Sequence, residues 1–391
     1  MIAVVADDFT GAAEIGAIGC RYGLRAEVQT AFRPTGETDL VVIDTHTRSS
    51  SSTMAAQRVG EEMERLREAG IEWVYKKVDS VLRGHVVAEL SSALDRSGLR
   101  RALLVPANPS FGQVIRQGHY RIDGHPLNET RFALDPEHPA WTDDVLDLLG
   151  RMDGVEVVYS EDWSNLPETG IVVAGVDARH DLVELAGHLD ARTLAAGGAE
   201  FFAAALARRL GRDGREAARD VGPRPPKALF VLGSRSEHGR ALLARARMNG
   251  ARTVLLEAAA GEGRTDGEPI VDPWVEAALD GLRAGDVVVV AVDPDGMNPS
   301  LPLPVHRLPR RLACIAEAVL RSWPGNDLHL FVEGGTTAST IVRQLGWKRL
   351  RVVGELESGV VTLAAVGGEE RLLTVKPGNY AWPESLLGWF R

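Results

Sequence analysis

Apolar runs of strand length alternate with amphipathic stretches of helical length along most of this chain. Such an alternation is typical of an α/β fold with mainly parallel sheets. In the first half the pattern predicts strands at 2–6, 39–44, 73–78, 102–106, 155–159 and 171–174, and helices at 11–22, 52–69, 86–97, 179–189 and 200–210. A long loop or hairpin is predicted between residues 106 and 124.

The stretch 212–227 breaks this pattern, because it is polar and charged, ends in prolines and has no apolar period. This composition is typical of a linker. The pattern then resumes from Ala228 with a strand, a turn and a helix. It predicts further strands at 253–256, 286–292, 328–332 and 350–353, helices at 274–283, 309–322 and 337–345, and a hairpin at 360–375 that turns at Gly367 and Gly368.

The length of the chain supports a division at the linker. With 391 residues, the chain is longer than a single core usually organises. We therefore predict two α/β domains, 1–211 and 228–391, joined by the linker at 212–227.

Composition narrows the classes of partner. A hydrophobic content of 45% and a charged content of 25% are ordinary for a globular protein. The net charge of -10 argues against a nucleic-acid surface and does not suggest a membrane surface. The N-terminus enters a strand directly, without the basic segment of a signal peptide. The two cysteines, Cys20 and Cys314, lie in apolar helical patterns and predict buried free thiols in a reducing cytoplasm.

The first candidate site follows the first strand, where Asp7 and Asp8 precede the glycine turn at Gly11. Ligands of open α/β sheets bind beyond the carboxyl ends of the strands. At this position two carboxylates can reach a substrate hydroxyl or a metal-bound phosphate. The alternative is that these acids cap the first turn of a helix.

A second cluster follows the strand at 73–78. Lysine is rare in this chain, 5 of the 44 basic residues, and two of the five are adjacent. The cluster contains Lys76, Lys77, Asp79, Ser80, Arg83 and His85. It supplies the local positive field that an acidic protein needs in order to bind an anion, although helix capping with solvated cations would also explain it. Arg48, after the strand at 39–44, offers a guanidinium fork for a carboxylate.

The second half has glycine turns at its strand ends. One such turn contains Gly334 and Gly335, followed by the hydroxyls of Thr336 and Thr337. The glycines would let a phosphate approach the backbone, and the helix N-terminus that follows offers free N–H groups, so this turn predicts a phosphate cradle. Ser234 lies in a similar turn after another strand, and Gly378 and Asn379 lie in a third turn near the end of the chain. A Walker A loop, a Gly-x-Gly-x-x-Gly fingerprint, His-Glu-x-x-His, Cys-x-x-Cys and Gly-x-Ser-x-Gly are all absent from the sequence.

Several of these motifs together resemble the four-carbon acid sugar kinases, a family that includes threonate, erythronate and 3-oxo-tetronate kinases. In the first half the resemblance rests on residues 6–12, 76–84 and 119–124. In the second half it rests on residues 334–337 and 376–380. The motifs occur in the right order over nearly the whole chain.

The resemblance implies that the first domain binds the acid sugar, that the second binds ATP, and that phosphoryl transfer crosses a cleft between them. It places substrate contacts on Asp7, Arg48, Lys77, Asp79 and Ser80, and we add Lys76 and Arg83 of the same basic cluster as candidate substrate contacts. It places nucleotide contacts on Ser234, Gly334, Gly335, Thr336, Thr337 and Gly378, and we add the adjacent Asn379 as a candidate. Two positions depart from the family: Thr336 stands where an acidic residue is usual, and residues 377–381 replace Ser-Gly-Asn-Phe-Gly.

We therefore expect a cytoplasmic, ATP-dependent and Mg²⁺-requiring kinase that acts on a hydroxyl of a four-carbon sugar acid. Arg48 and Lys77 would hold the substrate carboxylate or the transferring phosphoryl group, and either Asp79 or Asp8 would accept the hydroxyl proton. No set of protein metal ligands is predicted. The alternative is a non-catalytic two-domain sensor that closes on a small anion. Which acid is used, and whether the chain forms a homo-oligomer, stay open.

Overall fold

The chain forms two compact units, Met1–Glu216 and Ala217–Arg391. The computed structural model describes residues 1–135, 137–215, 226–233, 236–256, 273–293, 307–368, 370–378 and 380–390. Most of the predicted linker, 216–225, therefore lies outside the described residues. Its first residues lie against the first helix of unit 1, where the Arg215 amide donates to the Arg21 carbonyl at 2.8 Å.

Unit 1 contains a parallel sheet and a small antiparallel sheet. Its strands are β1 (Ile2–Ala6), β2 (Ala26–Gln29), β3 (Leu40–Asp44), β4 (Val74–Lys77), β5 (Arg101–Val105), β6 (Gln113–Arg116), β7 (His119–Ile122), β8 (His125–Pro126), β9 (Val157–Ser160), β10 (Gly170–Ala174) and β11 (Thr193–Gly197). Within the unit, the parallel strands run in the order β2-β3-β1-β4-β11-β5-β10-β9. Strands β6, β7 and β8 form the antiparallel sheet. Every residue of β1 is buried, as expected for a parallel strand that is covered on both faces.

The helices of unit 1 connect these strands. They are α1 (Phe9–Arg21), α2 (Ser52–Glu68), α3 (Val86–Ser97), α4 (Val145–Leu149), α5 (Arg179–Gly187) and α6 (Ala199–Leu210). Three of them begin at a side-chain cap: Asp8 caps α1, Ser51 caps α2 and Asp144 caps α4. Capping fixes where each helix starts, and therefore where the preceding loop leaves the sheet edge.

Unit 2 has a mixed sheet. Its strands are β12 (Lys227–Leu232), β13 (Arg252–Leu256), β14 (Val287–Val292), β15 (Leu328–Glu333), β16 (Arg349–Glu357), β17 (Val360–Ala365) and β18 (Leu372–Lys376). Within the unit the order is β13-β14-β12-β15-β18-β17-β16, and β17 is antiparallel to both of its neighbours. Its helices are α7 (Glu237–Met248), α8 (Pro273–Ala284), α9 (Arg307–Ser322), α10 (Gly335–Gln344) and α11 (Glu384–Leu387). Phe230 and Phe331 stack in its core with ring centroids 4.5 Å apart.

The structure confirms the α/β class and the mainly parallel sheets. The hairpin predicted at 360–375 is the antiparallel pair β17–β18. The prediction that both cysteines are buried was wrong, because Cys314 is exposed and Cys20 is half-buried. Cys314 lies on α9 between the buried residues Ala313 and Ile315, so the helical turn directs it outward.

Candidate active site

Three neighbouring strands of unit 1 bring the predicted polar residues to one sheet edge. Strand β1 lies between β3 and β4, and its last residue, Ala6, pairs with Asp44 on one side and Lys77 on the other. Because parallel strands in this register end together, the segments that follow them meet. We call the resulting group of side chains the strand-end cluster: Asp7, Asp8, Arg48, Lys77, Asp79, Arg83 and Asp135.

Arg48 joins three carboxylates of the strand-end cluster. Its Nε and Nη2 bind Asp7 Oδ2 and Oδ1 at 2.9 and 3.0 Å, a bidentate pair. Nη2 also donates to Asp8 Oδ1 at 2.9 Å, and Nη1 lies 3.5 Å from Asp79 Oδ1. Burial alone would lower the pKa of the guanidinium, but the charges of Asp7, Asp8 and Asp79 outweigh it and raise that pKa. Arg48 is therefore a fixed cation at the centre of the cluster.

Arg83 holds Asp79 from the other side. Its Nε and Nη2 donate to Asp79 Oδ2 and Oδ1 at 2.9 and 2.8 Å, and its Nη1 donates to Asp135 Oδ2 at 2.9 Å. Burial alone would raise the pKa of Asp79, but the charges of Arg83 and Arg48 outweigh it and hold that pKa far below its usual range. Asp79 is therefore ionised at any physiological pH.

Asp8 both caps a helix and faces the strand-end cluster. Its Oδ1 accepts from the Gly11 amide at 3.0 Å, and its Oδ2 accepts from the Thr10 hydroxyl at 2.6 Å. Burial would raise the pKa of Asp8, but the charges of Arg48 and Lys77 outweigh it and lower that pKa. The capping alternative is thus correct for Asp8, while Asp7 binds Arg48 instead.

Lys77 is the one cation of the strand-end cluster with no carboxylate within ion-pair distance among the described residues. Its Nζ donates to the Val78 carbonyl at 2.7 Å and is almost fully buried. A Cβ on Gly11 would lie 3.3 Å from this Nζ and 2.6 Å from Asp8 Oδ1. The absence of a side chain at Gly11 therefore leaves room for both the Lys77 ammonium and the Asp8 carboxylate.

Lys76 does not join the strand-end cluster. Successive strand residues point to opposite faces, and the Lys76 ammonium lies 2.8 Å from Glu89 Oε2 on α3, with both side chains buried. The predicted substrate contact at Lys76 is therefore not supported by its position, and its ion pair serves the packing of α3.

The loop after β4 depends on backbone geometry that the sequence pattern did not indicate. Leu82 and Gly84 both have positive φ angles, 64° and 92°. The Ser80 carbonyl accepts from the Tyr120 hydroxyl at 2.7 Å, so the small antiparallel sheet supports this loop. Sequence reasoning missed Asp135, which reaches Arg83 from a distant loop and carries no local motif.

In unit 2, the glycine turns follow the neighbouring strands β12, β15 and β18. Glu333 of β15 pairs in register with Leu232 on one side and Lys376 on the other. Gly334 has φ 101° and precedes α10 without a side chain to cap it, and its amide donates to the Lys376 carbonyl at 2.9 Å. The exposed Thr336 lies in the first turn of α10, where backbone N–H groups have no partner within the helix.

Thr337 lies beneath these turns. It is almost fully buried, and a Cβ on Gly233 would lie only 2.0 Å from its hydroxyl. Gly335 begins α10, and Gly378 lies in the turn after β18. The predicted nucleotide contacts Ser234 and Asn379 lie outside the described residues.

No helix in the described parts of the chain is long and apolar enough to cross a membrane. Within those same parts, no group of three or more His, Cys, Asp or Glu side chains is arranged to hold a metal ion.

Two family models match the chain, one in each unit. A model described as the sugar-binding N-terminal domain matches residues 2–205, and one described as the nucleotide-binding C-terminal domain matches residues 229–381. The first covers the strand-end cluster, and the second covers the glycine turns of unit 2.

Several curated relatives match over almost the whole length of the chain. The chain is 29% identical to a D-threonate kinase of Bordetella bronchiseptica over 99% of this chain and 96% of that protein. It is 27% identical to a 3-oxo-tetronate kinase of Methylobacterium radiotolerans, covering 96% and 95% of the two chains. A solved structure of a Haemophilus influenzae protein shares the fold, with a TM-score of 0.70 at 20% identity over 100% of this chain and 99% of that one.

Proposed function

We propose, since this chain belongs to the four-carbon acid sugar kinase family, that it transfers the γ-phosphoryl group of ATP to a hydroxyl of a four-carbon sugar acid. The observation that carries this proposal is that each unit contains a different kind of candidate site. The strand-end cluster lies in the part that matches the sugar-binding model, and the uncapped glycine turn before α10 lies in the part that matches the nucleotide-binding model.

The charges of the strand-end cluster suit a polyhydroxy acid better than a simple anion. Four carboxylates there accompany three cations, and both arginines are already bound by aspartates. Ionised carboxylates only accept hydrogen bonds, so they favour a ligand with several hydroxyl donors. Lys77 then remains to bind the carboxylate or the transferring phosphoryl group. A sensor for a bare anion would not need the aspartates.

Asp8 is the better placed proton acceptor of the two predicted aspartates. Both oxygens of Asp79 are bound by Arg83, whereas Arg48 and the Gly11 amide bind only Oδ1 of Asp8. Asp8 Oδ2 accepts a single side-chain hydrogen bond, from Thr10. We assign Asp8 to orient the attacking hydroxyl and take its proton, and Asp79 to hold Arg48 and Arg83 in place. Asp7, Arg48 and Ser80 complete the proposed substrate site.

In unit 2 we assign the nucleotide phosphates to the turn at Gly334 and Gly335 and to the first turn of α10, where the N–H groups and the helix dipole favour an anion. Gly378 lies in the neighbouring turn after β18. Magnesium commonly keeps waters and substrate phosphates among its ligands. We therefore expect phosphate oxygens to supply most of the Mg²⁺ ligands, so that the neutral hydroxyl of Thr336 suffices on the protein side. Bound Mg²⁺ would neutralise charge that develops on the phosphates. Because the reaction consumes ATP and the described cysteines form no disulfide, we expect the enzyme to act in the cytoplasm.

The proposal is tested by coupled ADP release with ATP and Mg²⁺ against D- and L-threonate, D- and L-erythronate and their 3-oxo forms. Turnover with one isomer supports the kinase and names its substrate. ATP binding without turnover on the whole panel would point to a kinase of another acid. Absence of both ATP binding and turnover would overturn the proposal in favour of the sensor.

A further inference from the structure

Glu333, the last residue of β15, is fully buried, and groups from three different segments bind its carboxylate. Its Oε1 accepts from the Ser236 hydroxyl at 2.8 Å. Its Oε2 accepts from Trp382 Nε1 at 2.9 Å and lies 3.1 Å from Lys376 Nζ. A charge buried this deeply is tolerated only when its hydrogen bonds are complete.

Lys376 is as deeply buried as its partner, and its ammonium is fully used. Besides Glu333, it donates to the Pro377 carbonyl at 2.9 Å and to the Tyr380 carbonyl at 2.6 Å. An ammonium group has three N–H donors, so these three acceptors leave none for a phosphate oxygen. Nζ also lies 5.3 Å from the centre of the Trp382 ring.

These contacts connect the three segments that follow β12, β15 and β18. Ser236, which binds Glu333, also caps α7 by accepting from the Gly239 amide at 3.0 Å. The Gly334 amide donates to the Lys376 carbonyl at 2.9 Å, which joins the turn before α10 to the end of β18. The Lys376 ammonium in turn donates to the Pro377 and Tyr380 carbonyls, two backbone groups that follow β18. The ion pair and these hydrogen bonds thus connect all three segments.

We propose that the Glu333–Lys376 pair is the positioning device of the nucleotide site, and that Lys376 is not itself a phosphate ligand. This inference rests on the proposed function. A lysine beside a glycine turn in a nucleotide-binding half would ordinarily be assigned to a phosphate, as in the P-loop. Here the ammonium acts on the backbone, and the turns it holds are left to bind the phosphates.

The first test is a double-mutant cycle on the full-length enzyme with Glu333→Gln, Lys376→Met and the double variant. Each single variant leaves one buried charge without its partner, so we expect the KM for ATP to rise by tenfold or more while the KM for the sugar acid changes less than twofold. In the double variant no unpaired charge remains, and the KM for ATP should be no worse than in the worse single variant. Additive losses would show that Lys376 acts independently of Glu333, and would overturn the inference.

Milder variants keep the test decisive if the charge variants fail to fold. Trp382→Phe and Ser236→Ala each remove one hydrogen bond to Glu333 and leave both charges in place. We expect each to raise the KM for ATP by roughly five- to tenfold, as the loss of about one hydrogen bond would. Unchanged KM values in both would contradict a positioning role.

Lys227→Met is the matched control, because Lys227 lies at the start of β12 and pairs with the exposed Asp286. It should leave all kinetic constants unchanged. If the wild-type chain itself neither binds nor turns over ATP, the proposed function fails. If the wild type is active and the variants of the pair behave like Lys227→Met, only the positioning inference fails.

Discussion

Two arginines of the strand-end cluster are structural cations as much as ligand groups. Arg48 and Arg83 use their planar forks on Asp7 and Asp79, and such bidentate pairs fix orientation as well as charge. Lysine could not replace them, because its point charge lacks the two parallel donors. Lysine is rare in this chain, and Lys77 is the single lysine of the strand-end cluster. We therefore expect Lys77 to contribute directly to substrate binding.

Replacing Asp8 or Asp79 with asparagine should distinguish a residue that acts in the chemical step from one that only supports substrate binding. Asp8→Asn keeps a good helix cap for α1 but removes the proton acceptor, so we expect kcat to fall by about 10²–10⁴-fold with little change in KM. Asp79→Asn loosens Arg48 and Arg83, so we expect mainly a higher KM for the sugar acid. Steady-state kinetics of both variants measure this split. A large loss of kcat at unchanged KM in Asp79→Asn would assign the proton to Asp79 instead.

A buried histidine in unit 2 should make the chain sensitive to mild acid. Burial lowers the pKa of His329 to about 3, and its Nε2 lies 2.8 Å from the Thr374 hydroxyl. The unfolded state, with a pKa of about 6.5, takes up the proton first as the pH falls. The contribution of His329 to the free energy of unfolding is therefore fully present above about pH 6.5. As the pH falls from there toward the folded pKa, the free energy of unfolding falls by about 1.4 kcal/mol per pH unit.

Replacing this histidine should flatten that dependence. His329→Gln keeps a hydrogen-bonding partner for Thr374 but does not titrate, so the free energy of unfolding should change less between pH 7 and pH 5 than in the wild type. Urea unfolding at several pH values measures the slope. The exposed His125→Gln is the control and should retain the wild-type slope. An unchanged slope in His329→Gln would mean that the ring is not held neutral.

At the scale of elements, close backbone approach sets the geometry of the sheet edge. Gly197 ends β11 with φ 152°, and a Cβ there would lie 2.0 Å from the Val105 carbonyl oxygen of β5. Gly197→Ala should therefore force β11 and β5 apart and lower the free energy of unfolding by about 2 kcal/mol or more. Chemical denaturation compares it with Gly36→Ala, where an added Cβ meets nothing within 4 Å. Equal stability of the two variants would contradict this account.

The strands also show how much of the secondary structure the sequence alone predicts. Strands rich in valine and isoleucine, such as β1 and β14, were predictable from their apolar runs. Strand β11 was missed because its sequence Thr-Leu-Ala-Ala-Gly consists mainly of small residues, and β2 was missed because it is short and half polar. Both are recognised only through their neighbours in the sheet.

The part of the strand-end cluster that follows β1, β3 and β4 was predictable, because polar motifs at the ends of adjacent parallel strands lie close together. The pairing of Arg48 with Asp7 follows from the order β3-β1-β4, which the local pattern does not fix. Asp135 could not be found, because its contact with Arg83 spans 52 residues and no spacing indicates it. Lys76 could have been separated from Lys77 by the alternation of side chains along a strand.

At the scale of the whole molecule, the assignment of one ligand to each unit makes a prediction that does not depend on turnover. Hydrogen exchange of the full-length chain should slow at the ends of β1, β3 and β4 when the sugar acid is added, and at the start of α10 when ATP is added. At a free ligand concentration about 100 times Kd, binding contributes about 2.7 kcal/mol to the stability of the state that binds it. Because the protein carries a net charge of -10 and both ligands are anions, the experiment needs moderate salt to screen non-specific repulsion. Protection by ATP confined to Met1–Glu216 would contradict the assignment, since the nucleotide phosphates would then lie on the strand-end cluster rather than on the glycine turns.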